Sequence, residues 1–194
     1  MNPVPRSGER IAPLRGESRS VRLRLAALVV WLALAAACLA VFGVTVEAIV
    51  NVLGCAVVVA VTVTDLERRI VPNRIVLPAL AVALVVQTIR DPSVEWLLSA
   101  LGAGGFFLVL ALVYPAGLGM GDVKLAAFLG AWLGWNAFVG LFIGTLLGML
   151  PALAVLVRRG AAGRRTTLPY VPALAAGAVI GLFFGDAILD AWLG

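Results

Sequence analysis

Two aspartates, Asp65 and Asp122, hold the chemistry that this sequence is equipped to do. Each lies where a long apolar run meets a polar turn: Asp65 in TDLERRIVPNRIVLP (residues 64–78) and Asp122 in GMGDVKLAAF (residues 119–128). Carboxylates at such a boundary are costly to keep and mark function. Two of them brought together resist double ionisation and share one proton near neutral pH. The ionised partner then activates a water, while the protonated one polarises a carbonyl and later protonates a leaving nitrogen. That is the chemistry of peptide hydrolysis. The sequence has no histidine, which removes Ser-His and Cys-His nucleophiles and HExxH zinc sites. Its two cysteines, Cys38 and Cys55, fall inside apolar runs without a CxxC pair. They are therefore expected to be core residues, with no disulfide, no metal site and no cofactor.

Taken singly, each aspartate also has a plainer reading. Asp65 with Glu67, Arg68 and Arg69 fits a solvated loop, and Asp122 at the head of an apolar run fits a helix cap. The neighbours suit a substrate site as well. Gly119 and Gly121 allow positive φ and the close approach of another backbone, leaving room for an extended peptide beside Asp122. The start of a helix there favours a carboxylate. Pro72-Asn73 breaks one helix and turns the chain back into the next. Lys124 either tunes the pair or reaches into the headgroup region.

The elements that must position these residues are membrane helices. The chain has 194 residues, 62% of them hydrophobic, with a mean hydropathy of +1.08. A soluble domain carries about 45–50% apolar residues. The expected fold is all-α: a polytopic membrane protein of about seven transmembrane helices with a cytoplasmic N-terminus. Residues 1–24 read as a basic, disordered cytoplasmic tail, and 25–194 as one helical domain whose core covers about 46–193. The segment Leu25–Gly43 is long for the apolar part of a signal peptide and lacks a cleavage site, so it reads as a retained first span. Further apolar stretches fall at about 46–64, 75–89, 96–114, 123–135, 137–157 and 170–193. Two of these, 75–89 and 123–135, are short against the roughly 20 residues a span needs.

Charge decides the topology. With the N-terminus inside and all seven segments crossing, 14 of the 15 basic residues lie inside and only Arg90 lies outside. If 123–135 did not cross, RRGAAGRR at 158–165 would fall outside, so that arrangement is rejected. Gly134-Trp135-Asn136 is then an outer turn, with Trp132 and Trp135 as interfacial anchors. Asp65 follows the second span and Asp122 precedes the fifth. Both therefore fall at the cytoplasmic face, although 57 residues separate them. No basic stripe interleaved with aromatics appears, so nucleic acid is not an expected partner.

These segments resemble the type IV prepilin peptidases, or prepilin leader peptidases, which are integral membrane aspartic proteases of the GxGD type. The resemblance is carried by TDLERRIVPNRIVLP (64–78), GMGDVKLAAFLGAWLGW (119–135) and LPYVPALAAGAVIGLFFG (168–185). It implies that Asp65 and Asp122 are the catalytic pair, with Gly119, Gly121, Lys124, Pro72 and Asn73 in supporting positions. It also implies an inner (cytoplasmic) membrane location and cleavage at the cytoplasmic side. The substrates would be prepilins, pseudopilins or Flp-type pilin precursors, each cut between a short basic leader and an apolar helix in the lipid bilayer. Longer members carry an N-terminal segment with paired CxxC zinc motifs and also methylate the new terminus. The tail here has no cysteine, so peptidase activity without methyltransferase activity is the expectation. The rival from another class is a proton- or cation-coupled transporter using the same carboxylates. Such groups usually sit near the bilayer midplane within inverted repeats, whereas these lie at span ends.

Overall fold

A computed structural model of the chain describes residues 15–113, 118–159 and 169–193. These form seven helices: α1 (Arg15–Phe42), α2 (Val46–Arg68), α3 (Asn73–Arg90), α4 (Glu95–Val113), α5 (Met120–Leu133), α6 (Asn136–Arg159) and α7 (Val171–Leu193). Six of them, all but α5, are long and apolar enough to cross a membrane. The protein is an all-α polytopic membrane protein, as composition requires. The helix α1 reaches back to Arg15, so residues 15–24 join the helix instead of standing apart as a disordered tail. Residues 1–14, Arg164 and Arg165 lie outside the described residues.

The breaks between helices follow local chemistry. Gly43 turns the chain at φ +67, and Thr45 then caps α2 by accepting a bond from the Ala48 amide at 3.1 Å. Arg69 ends α2 in the left-handed region at φ 55, its amide bonded to the Asp65 carbonyl at 2.8 Å. Pro72 sits just before α3, its carbonyl taking the first bonds of that helix from the Ile75 and Val76 amides. Ser93 caps the start of α4 through the Glu95 amide, 3.1 Å away.

The shortest helix is the most enclosed. Fourteen residues make α5 about 21 Å long, against a hydrocarbon core of roughly 30 Å. Even so, it carries the chain from one end of the bundle to the other, antiparallel to α4. Gly121 lies against Val71, Gly104 against Ala127, Gly130 against the Ser99 backbone, and Gly134 against Glu95. It packs on α3, α4, α6 and α7, and Leu125, Ala126 and Phe128–Leu133 are all buried. Trp132 is thus a core residue at 2% exposure, not an interfacial anchor. Its ring covers Gly54, and its indole N–H donates to Asn51 Oδ1 at 3.1 Å. Trp135 is half exposed just beyond the turn at Gly134. Helices α6 and α7 pack backbone to backbone where Gly140 and Gly144 meet Gly177 and Gly181.

The two ends differ in charge as the topology demands. Arg24, Arg68, Arg69, Arg74, Lys124 and Arg158 gather at the Asp65 end. Arg90 lies at the other end, where it bonds Gln87 at 2.7 Å and faces Glu47 at 3.6 Å.

Candidate active site

Asp65 sits in the last turn of α2 and is buried at 6% exposure. Its Oδ2 accepts the Val171 amide at 3.2 Å, across 106 residues of sequence. Val171 is the first residue of α7 and Pro172 the second. Proline suits a first turn because the amide it lacks would have had no intrahelical partner. The free amide of Val171 and the positive end of the α7 dipole therefore both meet the carboxylate. A charge-assisted bond of this kind is about twice as strong as a neutral one, so the start of α7 fixes the Asp65 carboxyl group.

Asp122 is the third residue of α5, and its Oδ2 accepts the Gly119 amide at 3.1 Å. Asp122 is not itself the N-cap residue, a position Gly119 holds, but its side chain folds back from the third helical position to cap the Gly119 amide. Burial pushes its carboxyl above the ordinary range, the Gly119 bond partly offsets this, and the charge on Asp65 pushes it up further. The two aspartates, from helices far apart in sequence, thus share one end of the bundle, where the charge on Asp65 reaches Asp122.

The two glycines behave differently from each other and from expectation. Neither adopts positive φ: Gly119 lies at φ −88 in extended backbone, and Gly121 is helical. What Gly121 permits is close packing, because a Cβ there would stand 2.7 Å from Val71 Cβ, in the connection between α2 and α3. The close approach is to a side chain of the protein itself, not to a second backbone. A Cβ on Gly119 would meet Asp122 Oδ2 at 3.5 Å and the Gly121 amide nitrogen at 3.9 Å, both ordinary contacts.

Lys124 donates to Asn73 Oδ1 at 2.9 Å, in the first turn of α3. This ties the Asp122 helix to the turn that follows Asp65, with Pro72 setting where α3 begins. Lys124, Asn73, Pro72 and Gly121 together form a brace behind the two carboxylates. Among the described residues, no group of three or more Cys, Asp or Glu side chains is placed to hold a metal ion.

Several neighbours escape a search for reactive side chains. Val171 contributes a backbone amide, and Val71 only its bulk. Tyr170 lies beside the site with its hydroxyl 2.9 Å from Thr145 Oγ1. Burial pushes its phenol above the ordinary value, the Thr145 bond opposes this, and the charge on Asp122 adds to it. The signal for both Tyr170 and Val171 was the Pro-Tyr-Val-Pro run, which marks a helix start aimed at the site.

Residues 52–185 match the model of the type IV leader peptidase family. Among curated proteins, the chain is 34% identical over 159 residues to the prepilin leader peptidase/N-methyltransferase of Bacillus subtilis (strain 168), covering 78% of this chain and 62% of that one. It is 28% identical over 162 residues to the Legionella pneumophila protein of the same name, covering 79% and 56%. For that of Aeromonas hydrophila the identity is 33% over 141 residues, covering 68% and 48%. The aligned part of the chain thus spans about half to three-fifths of the length of these relatives. No solved structure matches it. The matched stretch includes both aspartates, the brace behind them and the start of α7, and on this ground the chain belongs to the type IV leader peptidase family.

Proposed function

We propose that the protein is a membrane aspartic endopeptidase that removes the short basic leader from prepilin-type precursors, with Asp65 and Asp122 as its catalytic pair. The observation that carries this reading is that buried Asp65 and half-buried Asp122 stand at the same end of the bundle, each fixed by one backbone amide at a helix start. Burial and the charge on Asp65 favour the proton on Asp122. The ionised Asp65 takes a proton from water as the water oxygen attacks the scissile carbonyl carbon. Asp122 gives its proton to the carbonyl oxygen, so a neutral gem-diol forms. Asp65 then protonates the amide nitrogen, the C–N bond breaks, and a hydroxyl proton of the gem-diol returns to Asp122. The pair ends as it began.

The basic residues gathered around Asp65 support a position for this end at the cytoplasmic face of the inner membrane. Cleavage there suits a precursor whose basic leader stays inside while its apolar helix lies in the bilayer. The carboxylates stand at helix ends and not at the midplane, which disfavours the ion-transport alternative. Co-expression with a prepilin-type precursor tests the proposal by a gel shift of the product. Asp65→Asn and Asp122→Asn should each abolish the shift while the protein accumulates normally. Near-normal processing by either variant removes that residue from the mechanism.

A further inference from the structure

An apolar groove of 510 Å³ opens sideways between α1, α2 and α7. From Leu23 to Leu34 it follows α1 for about 17 Å, and it ends at the level of Asp65. Thr62 and Leu66, which bracket Asp65 on α2, form its floor there, and Pro172, next to the amide that holds Asp65, forms its rim. The groove is therefore continuous with the proposed catalytic site. Its walls carry Ala26 and Ala27 on one side and Ala175 and Ala176 on the other. Small residues of this kind let another helix approach closely in a membrane, where dispersion contacts drive association.

The chain's own α1 says which occupant fits: in it, Arg22 and Arg24 lead directly into an apolar helix. That is the pattern of a basic leader followed by a membrane segment. Only 6% of its apolar window is buried, against 33% for α2 and for α7, and it packs chiefly on α2. Arg24 is held by Glu67, two residues past Asp65, through bonds of 3.0 and 3.2 Å. The α2 face thus already accommodates one helix of this pattern, with its basic residue on an acidic group beside the site.

The geometry points to this groove as the seat of the precursor's apolar helix, with α1 and α7 as its walls and α2 as its floor. The assignment rests on the peptidase reading above. The seated helix emerges at the Leu66–Pro172 rim, so the junction between helix and leader meets Asp65 and Asp122. The leader's basic residues come within reach of Glu67, in competition with Arg24.

Cross-linking tests this. Ala176 is exposed in the groove, and Phe142 is exposed on α6 outside it. The photoreactive substitutions Ala176→p-benzoylphenylalanine and Phe142→p-benzoylphenylalanine are made separately in the Asp122→Asn protein, which retains its substrate. A precursor cross-link from position 176 and none from 142 is the expected result. Equal yields from both, a cross-link from 142 alone, or only lipid adducts at 176 overturns the assignment. In the otherwise intact protein, Ala176→Trp should lower kcat/KM for the precursor about tenfold, and Phe142→Trp less than about twofold. Equal losses count against the groove. If the wild-type protein does not cleave the precursor, the peptidase reading fails and takes the groove with it. Cleavage without the 176 cross-link removes the groove alone.

Discussion

Gly121→Ala adds one methyl group, touches no ionisable atom, and should cost most of the activity. In a helix interior this change ordinarily stabilises by about 0.8–1.0 kcal/mol, because glycine is the poorer helix former. Here the new Cβ would stand 2.7 Å from Val71 Cβ and 3.0 Å from its Cγ2, whereas ordinary contact begins near 3.4 Å. The start of α5 and the connection between α2 and α3 must then separate by about 0.7 Å, from 2.7 Å to the 3.4 Å at which ordinary contact begins. Asp122 is the next residue along α5, and Asp65 lies in the last turn before that connection. The separation therefore falls largely on the distance between the carboxylates. A misplacement of about 1 Å costs about 100-fold in rate, equivalent to about 2.7 kcal/mol of barrier. The assay is kcat/KM for a purified precursor in liposomes, with thermal unfolding as the check on folding. Gly119→Ala should stay within about threefold of wild type, since its Cβ meets nothing closer than 3.5 Å. Adding Val71→Gly to Gly121→Ala should restore most of the loss by removing the opposing atoms. Wild-type activity in Gly121→Ala, or equal damage from both glycine substitutions, refutes the packing argument.

The raised Asp122 carboxyl makes a pH prediction for stability. Its folded value lies above the ordinary value of about 3.9, so its contribution is complete below that value and is lost as pH rises through the folded one. The Tm should fall over that interval in wild type, and a slope unchanged in Asp122→Asn would show that another group is responsible. Lys124→Gln loses one exposed bond to Asn73, worth at most about 1 kcal/mol; processing should drop no more than about fivefold, and abolition would instead place Lys124 in the chemistry. Gly54→Ala drives a methyl group into the Trp132 ring and should destabilise by about 1–3 kcal/mol, the usual cost of overpacking. Denaturation in micelles measures this, and an unchanged midpoint would contradict the observed packing.

Much of the architecture was legible because membrane insertion constrains sequence strongly. Apolar length set the helices, and the uneven distribution of basic residues, with Arg90 apart from the rest, indicated which ends lie together. The same distribution puts Asp65 and Asp122 at one level. Pro72-Asn73 marked its turn because proline cannot continue α2 as a hydrogen-bond donor.

The tertiary structure alone decided what faces what. Hydropathy does not distinguish an apolar residue that meets lipid from one that meets another helix, since both surroundings are equally apolar. For this reason Trp132 looked like an interfacial anchor, yet it lies under Gly54 with its N–H on Asn51. For the same reason hydropathy gave no sign that α5, which runs from one end of the bundle to the other, is also its enclosed centre. The partner of Asp65 was equally hidden, being a backbone amide 106 residues away that has no side-chain signature. At Gly121 the sequence announced that space was needed there, and only the fold showed that Val71 occupies it. Chain composition thus determined the helices and the level of their charges, while the surroundings of Asp65 and Asp122 arose from contacts made across the bundle.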